Sequence, residues 1–255
     1  MPTPIPLQDA AVYGPIHSRR FGHSLGINLL PVSRKVCSSN CVYCQYGWTT
    51  AKGSPERMRR APELLAEIRR SLQRYAEAKT PVDCLTFAGN GEPTLHPDLA
   101  ALVDGVKQLR DAYFPRAAVG MLSDATQVMR PRVREALALL DVRCMKFDAA
   151  DAATWQRINQ PLVSIDFQAM LEGLKRVPDI ILQSMFIHGV CDNTQEGHLQ
   201  LWVEKVGWLS PRAVQVYTID RPTAADGIHK VPRSQLQQIA DRLTSTTGIP
   251  TEVFA

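Results

Sequence analysis

Cys37, Cys41 and Cys44 fall within eight residues, in the run Cys37-Ser-Ser-Asn-Cys41-Val-Tyr43-Cys44. Three thiolates spaced by four and three residues can wrap a compact loop around one metal centre. Structural zinc takes four protein ligands, and no fourth lies beside this loop, so a zinc site would need a distant residue such as His17 or His23. A [4Fe–4S] cube has four irons, usually one cysteine to each. Three cysteines would leave one iron with an open position, which is what a catalytic centre requires. The other cysteines, Cys84, Cys144 and Cys191, stand alone.

A second motif follows in Phe87-Ala88-Gly89-Asn90-Gly91-Glu92-Pro93-Thr94-Leu95. Glycines let a backbone approach a ligand closely, and a carboxylate accepts hydrogen bonds from an ammonium group. Together the two motifs resemble the signature of the radical S-adenosylmethionine superfamily: Cys-x3-Cys-x2-Cys with an aromatic before the last cysteine, then a Gly-Gly-Glu element. Here Asn90 and Gly91 precede Glu92, so the first glycine of the pair is replaced unless Gly89 takes its role. The resemblance implies that Cys37, Cys41 and Cys44 hold a [4Fe–4S] cluster, with the amino and carboxylate groups of S-adenosylmethionine on the fourth iron. Tyr43 and Gly89–Glu92 would then contact the cofactor. Further matches along the chain are Ser123 and Asp124 for its ribose or carboxylate, and Gly189 and Tyr217 for adenine. Lys146 and Asp148 would hold cofactor or touch substrate, or else form a structural ion pair. Cys191 is a candidate thiol hydrogen donor or an inert loop cysteine.

The implied activity is reductive cleavage of the cofactor to methionine and a 5′-deoxyadenosyl radical, which removes hydrogen from a substrate. This is oxidoreductase chemistry fed by a flavodoxin- or ferredoxin-like electron donor. Gly14–Gly22, Asp192-Asn193-Thr194 and Thr218–Pro222 resemble a narrower set, uncharacterised radical enzymes allied to the tRNA wybutosine-forming synthases. Those synthases carry a second cysteine set upstream, and this chain has no cysteine before Cys37. Two other readings stand beside the main one: an activase that installs a glycyl radical on a partner protein, and a zinc-stabilised nucleic-acid-binding protein.

The elements that must carry these residues alternate along the chain. Strands are expected at 25–30, 82–88, 117–122, 142–148, 180–187 and 213–219 from their β-rich apolar runs. Helices are expected at 62–78, 97–110, 131–140, in segments between 152 and 177, and at 197–209. A last helix is expected where Ser234-Gln235-Leu236-Gln237 matches a capping box. Six β-then-α units in series predict a parallel sheet with helices outside it, open or curled into a barrel. Either way, chemistry belongs in the loops after the strands. The resemblance narrows this to a partial (βα)6 barrel over about 24–222, one domain with an N-terminal extension (1–23) and a C-terminal helix and tail (223–255). Cys84 and Cys144, inside strands, read as small apolar core residues.

Composition sets the remaining bounds. The chain has 255 residues, 45% of them apolar, enough to bury a large core. No apolar run is long enough to span a membrane and the N-terminus lacks a secretory pattern, so a cytoplasmic location is expected. The net charge of +4 tolerates an anionic partner without demanding one. Arg19, Arg20, Arg57, Arg59, Arg60, Arg69, Arg70 and Arg74 would track an RNA backbone, or form a solvated face interleaved with Glu63 and Glu67. The substrate is therefore expected among RNAs or small metabolites.

Overall fold

The structure, a computed structural model, describes residues 4–50 and 57–255. Its main sheet has eight strands: β1 (Val12–Ser18), β2 (Gly22–Ile27), β3 (Cys84–Phe87), β4 (Ala118–Ser123), β5 (Val142–Lys146), β6 (Ile180–Met185), β8 (Ala213–Tyr217) and β10 (Thr251–Phe254), in that spatial order. From β2 to β10 neighbouring strands run parallel, and only β1 is antiparallel, hairpinned to β2. Helices α1 (Ala61–Glu77), α2 (Leu99–Tyr113), α3 (Pro131–Ala138), α4 (Ala152–Asn159), α5 (Phe167–Lys175) and α6 (Glu196–Leu209) connect the strands, and α7 (Arg233–Thr247) precedes β10. The result is a curled, mostly parallel half-barrel with helices on its outer face. A separate two-stranded ribbon pairs β7 (Ile187–Gly189) with β9 (Ile228–Lys230). Among the described residues no helix is long and apolar enough to cross a membrane.

The period-two alternation of each strand divides its side chains between two environments. Leu25, Ile27, Leu85, Phe87, Val119, Met121, Met145, Leu182, Val214 and Val216 join the helices in one continuous apolar core. The opposite parity faces into the half-barrel and mixes polar or small residues (Ser24, Gly26, Thr86, Gly120, Lys146, Gln183 and Gln215) with the apolar Leu122, Ile181 and Met185. The polar inner groups satisfy one another, Ser24 Oγ with Thr86 Oγ1 at 2.7 Å and Gln183 Nε2 donating to Gln215 Oε1 at 2.7 Å. Cys84 and Cys144 belong to this inner row. They are buried as expected, but on the cavity wall rather than in the helix-packed core.

Three differences from the sequence reading have physical causes. The first strand lies at 22–27 rather than 25–30, because Asn28 turns the chain: its side chain accepts from Leu30 N and donates to Leu30 O. The terminal segments expected as extensions each add a strand to the sheet, β1 and β10. The last helix begins at Arg233 on Pro232, with no side-chain cap, so Ser234 lies inside its first turn rather than capping it.

The β1–β2 turn has a long reach. From the first edge of the sheet, Arg19 donates to Ala255 O at 2.7 Å beside the last strand and pairs with Asp220 at 3.5 Å. Arg20 lies 4.4 Å above the ring of Tyr217 and 5.1 Å from that of Phe254. The turn therefore bridges the two edges of the half-barrel.

Candidate active site

The cysteine loop leaves the C-terminal end of β2 and is clamped on both sides by backbone. Upstream, Val36 N donates to Asn90 O at 2.8 Å, and Val36 O accepts from Glu92 N at 3.0 Å. Downstream, Asn40 N donates to Gln160 O and Val42 N to Ile158 O, each at 2.9 Å. Val42 O in turn accepts from Ala225 N, and the N-terminal segment closes over the loop where Ile5 N reaches Gln45 O. Gly91 shows how tight the upstream clamp is: a Cβ there would stand 1.7 Å from Val36 O, and its φ of +140° suits glycine alone.

Each cysteine has a different polar neighbour. Lys35, 8% exposed, donates from Nζ to Cys44 Sγ at 3.1 Å and to Gly47 O at 2.7 Å. Asn159 Nδ2 lies 3.4 Å from Cys41 Sγ, and Cys37 Sγ lies 3.8 Å from Asp124 Oδ2. Burial, reinforced by Asp148, pushes the Cys41 thiol up to about 12; burial with Asp124 pushes Cys37 higher still. Thiols in that state ionise only when a cation arrives to hold the charge.

Glu92 joins two of the expected motifs. Its buried carboxylate accepts from Thr94 N, from Ser123 Oγ at 2.8 Å and from Asp124 N at 2.6 Å. Burial, with the Asp124 charge added, raises its pKa to about 8. Asp124 also accepts from Ser38 Oγ at 2.7 Å, tying the end of β4 to the cysteine loop. Asn90 is placed differently. Its side chain points inward and is fully engaged, donating to Gln8 O and Pro31 O and accepting from Gln8 N. It builds the loop and presents no polar atom to a ligand.

Tyr43, Asp148, Lys146 and Tyr217 meet across the mouth. The Tyr43 hydroxyl donates to Asp148, and burial plus that carboxylate holds the phenol neutral. Asp148 also accepts from Asn159 Nδ2 at 2.7 Å and from Met185 N at 2.8 Å. Lys146 Nζ lies 3.6 Å from Asp148, hydrogen-bonds the Tyr217 hydroxyl, and sits over the rings of Tyr43 and Tyr217 at 4.6 and 4.7 Å. Burial works against its charge, but Asp148 and Tyr217 outweigh burial and raise its pKa.

Gly189 lies on the ribbon, where a Cβ would meet Gly227 O at 2.0 Å, so close backbone crossing already accounts for its type. Cys191 packs against a small apolar cluster at the mouth, with its sulfur 3.5 Å from Arg157 O. Two residues with large structural roles carried no expectation, Lys35 and Asn159, and a third, Asn193, was expected only as part of the family-like Asp192-Asn193-Thr194 run. Asn193 donates to Asp148 O and Met185 O and accepts from Ile187 N. In the basic segment Arg57 pairs with Glu63 at 2.8 Å and Arg59 with Glu67 at 2.5 Å, while Arg60, Arg69, Arg70 and Arg74 make no ion pair among the described residues.

Among the described residues no three of His, Cys, Asp or Glu converge on a single metal position. A cube, by contrast, takes each cysteine on its own iron. His17 and His23, the distant zinc candidates, pack against each other on the β1–β2 hairpin, where His23 meets Asp83 at 3.0 Å. Donors aimed at Cys44 and Cys41 are what anionic sulfur accepts.

Residues 33–199 match the family model described as the radical SAM superfamily. A UPF0026 protein of Helicobacter pylori is 32% identical over 218 residues, covering 84% of this chain and 67% of its own length. Among solved structures, a radical SAM methyltransferase from Sphaerobacter thermophilus superposes with a TM-score of 0.67 at 15% identity, over 91% of this chain and 65% of that one. TYW1, solved with a lysine-pyruvate adduct bound, gives 0.65 at 15% identity, over 88% and 74%. The chain thus spans about two thirds of the length of the first two relatives.

Proposed function

The chain belongs to the radical SAM superfamily and, within it, to the UPF0026 proteins, and from that premise we propose that it is an iron–sulfur enzyme that cleaves S-adenosylmethionine reductively. Cys37, Cys41 and Cys44 would hold a [4Fe–4S] cluster. When bound, cluster and cofactor supply a 5′-deoxyadenosyl radical able to take hydrogen from an unreactive C–H bond.

The chain's own residues bind, orient and exclude water. Glu92, held by Ser123 and the Asp124 amide, offers a buried carboxylate to the cofactor's ammonium group. Such a cation would displace the proton that burial keeps on Glu92. Gly89 and Gly91 keep that loop close to the cysteines, with Asp124 beside it. Tyr43 stays a neutral donor to Asp148, and Lys146 stays an ammonium ion between two aromatic rings. Gly189 and Tyr217 border the adenine end. The polar inner wall of the half-barrel receives the substrate, and a flavodoxin- or ferredoxin-like protein supplies the electron.

The observation that carries this reading is the cysteine loop, clamped between the Gly89–Glu92 loop and the end of α4 at the C-terminal mouth of the sheet. Anaerobic reconstitution with iron and sulfide, then dithionite and S-adenosylmethionine, tests it by chromatography of 5′-deoxyadenosine. The expected result is product from the wild type and none from Cys41→Ala. A colourless protein that binds zinc and yields no 5′-deoxyadenosine overturns the reading.

A further inference from the structure

Arg20 stands out because its guanidinium is held on two aromatic faces, those of Tyr217 and Phe254, with no carboxylate among the described residues to answer its charge. Arg19 pairs with Asp220, Arg57 with Glu63, Arg59 with Glu67, and Arg110 with Asp111 and Asp141. Among the described residues, the Arg20 guanidinium makes no ion pair and no hydrogen bond; its contacts are the faces of Tyr217 and Phe254. Glu252 shares Phe254's side of β10 but is exposed and does not pair with it. A guanidinium backed by aromatic faces keeps its N–H donors in its own plane, directed sideways and free for a bidentate partner.

The surroundings sharpen the point. Lys146 Nζ lies over the same Tyr217 ring at 4.7 Å, so the two cations are within about 9 Å of each other. The one carboxylate beside Lys146 is Asp148, already held by Tyr43, Asn159 and the Met185 amide. The rest of the inner wall is neutral: Ser24, Thr86, Gln183 and Gln215 bond to one another. Two cations against one engaged carboxylate leave this end of the half-barrel positive.

We propose that Arg20 is the anion-recognising end of the substrate site, and that the substrate is a small molecule carrying a carboxylate or phosphate group that seats on this guanidinium inside the half-barrel. This deepens the function proposed above and rests on it for the identity of the cavity. The neutral inner wall then discriminates among the uncharged parts of the substrate.

Calorimetric titration of the full chain, reconstituted and as isolated, with inorganic phosphate, malonate and a short oligouridylate tests the assignment. Saturable binding of phosphate or malonate is expected. Arg20→Met should weaken it about tenfold or more, as loss of a charge-assisted pair does. Arg20→Lys should retain part of it, and Arg116→Met, an exposed control, all of it. Which of the two anions binds better identifies the group. Equal binding by Arg20→Met, no saturable binding by the wild type, or binding of oligouridylate alone overturns the proposal. Loss of this assignment with 5′-deoxyadenosine still formed leaves the proposed function standing. Arg20-dependent binding without cofactor cleavage does the reverse.

Discussion

A buried ammonium group must be answered by negative charge or good acceptors. Lys35 has a carbonyl oxygen, that of Gly47, and the sulfur of Cys44. That pairing would give Lys35 a role toward the proposed cluster, since donors to cluster sulfurs raise the reduction potential. Lys35→Met in the reconstituted protein should lower the midpoint potential, by on the order of 59 mV if reduction becomes tenfold less favourable. Redox titration followed by electron paramagnetic resonance reads this directly, and an unchanged potential would remove Lys35 from that role. Glu92 makes a second residue-scale case. Its carboxyl titrates near 8 in the fold against 4.5 unconstrained, so between those values the folded chain keeps a proton the unfolded chain has lost. The stabilisation from that proton is complete below the lower value and is lost as pH rises through the upper one. Melting of the metal-free chain should decline across that window, and Glu92→Gln should flatten the decline; identical profiles for the two proteins would mean Glu92 does not hold the proton. The cysteines and Glu92 were legible in the sequence because their spacing is local. Lys35 and Asn159 were not, since one lysine or asparagine has no signature until folding shows what it faces.

At the scale of elements, the clamps on the cysteine loop matter more than the loop itself. Gly91→Ala would push a methyl group into Val36 O from a backbone conformation that alanine resists. It should cost on the order of 3 kcal/mol in denaturant melts and reduce iron retention after reconstitution. Gly197→Ala, in the first turn of α6 with nothing within 4 Å, should instead be neutral or gain about 0.5 kcal/mol. If both variants kept iron equally, the clamp would not be what holds the loop. The parallel strands and their helices were legible because each helix has one apolar stripe and each strand is bounded by turn residues. β1 was not: its middle residues are exposed and include Pro15, as suits an edge strand. β7 and β9 have three residues each, too short for any period to show. β10 is four residues behind a helix, and only its pairing with β8 marks it as a strand.

The whole molecule has two unequal apolar assemblies. One runs from Ala11 to Ile249 between sheet and helices; the other, around Val42, Tyr43, Ile158, Met185, Ile187, Tyr217 and Ile228, sits at the mouth. Opening the smaller one exposes far less surface, so it should open more often. In hydrogen exchange, the amides of Val42 and Ala225 should exchange ahead of those of Val119 and Leu182; equal protection would mean that mouth and barrel open only together. The half-barrel itself was legible from the β-then-α alternation, but the bridge across its edges was not, because no pattern links residues so distant. Arg19 and Ala255 are 236 positions apart. At about 5–20 residues per second, a ribosome needs on the order of ten seconds or more to carry the chain from one to the other. The two clamps of the cysteine loop, which draw on residues up to Gln160, are translated well before that bridge can close, and only the Ala225 contact to Val42 O comes late. During synthesis the two clamps of the cysteine loop can therefore form before the bridge across the sheet edges does.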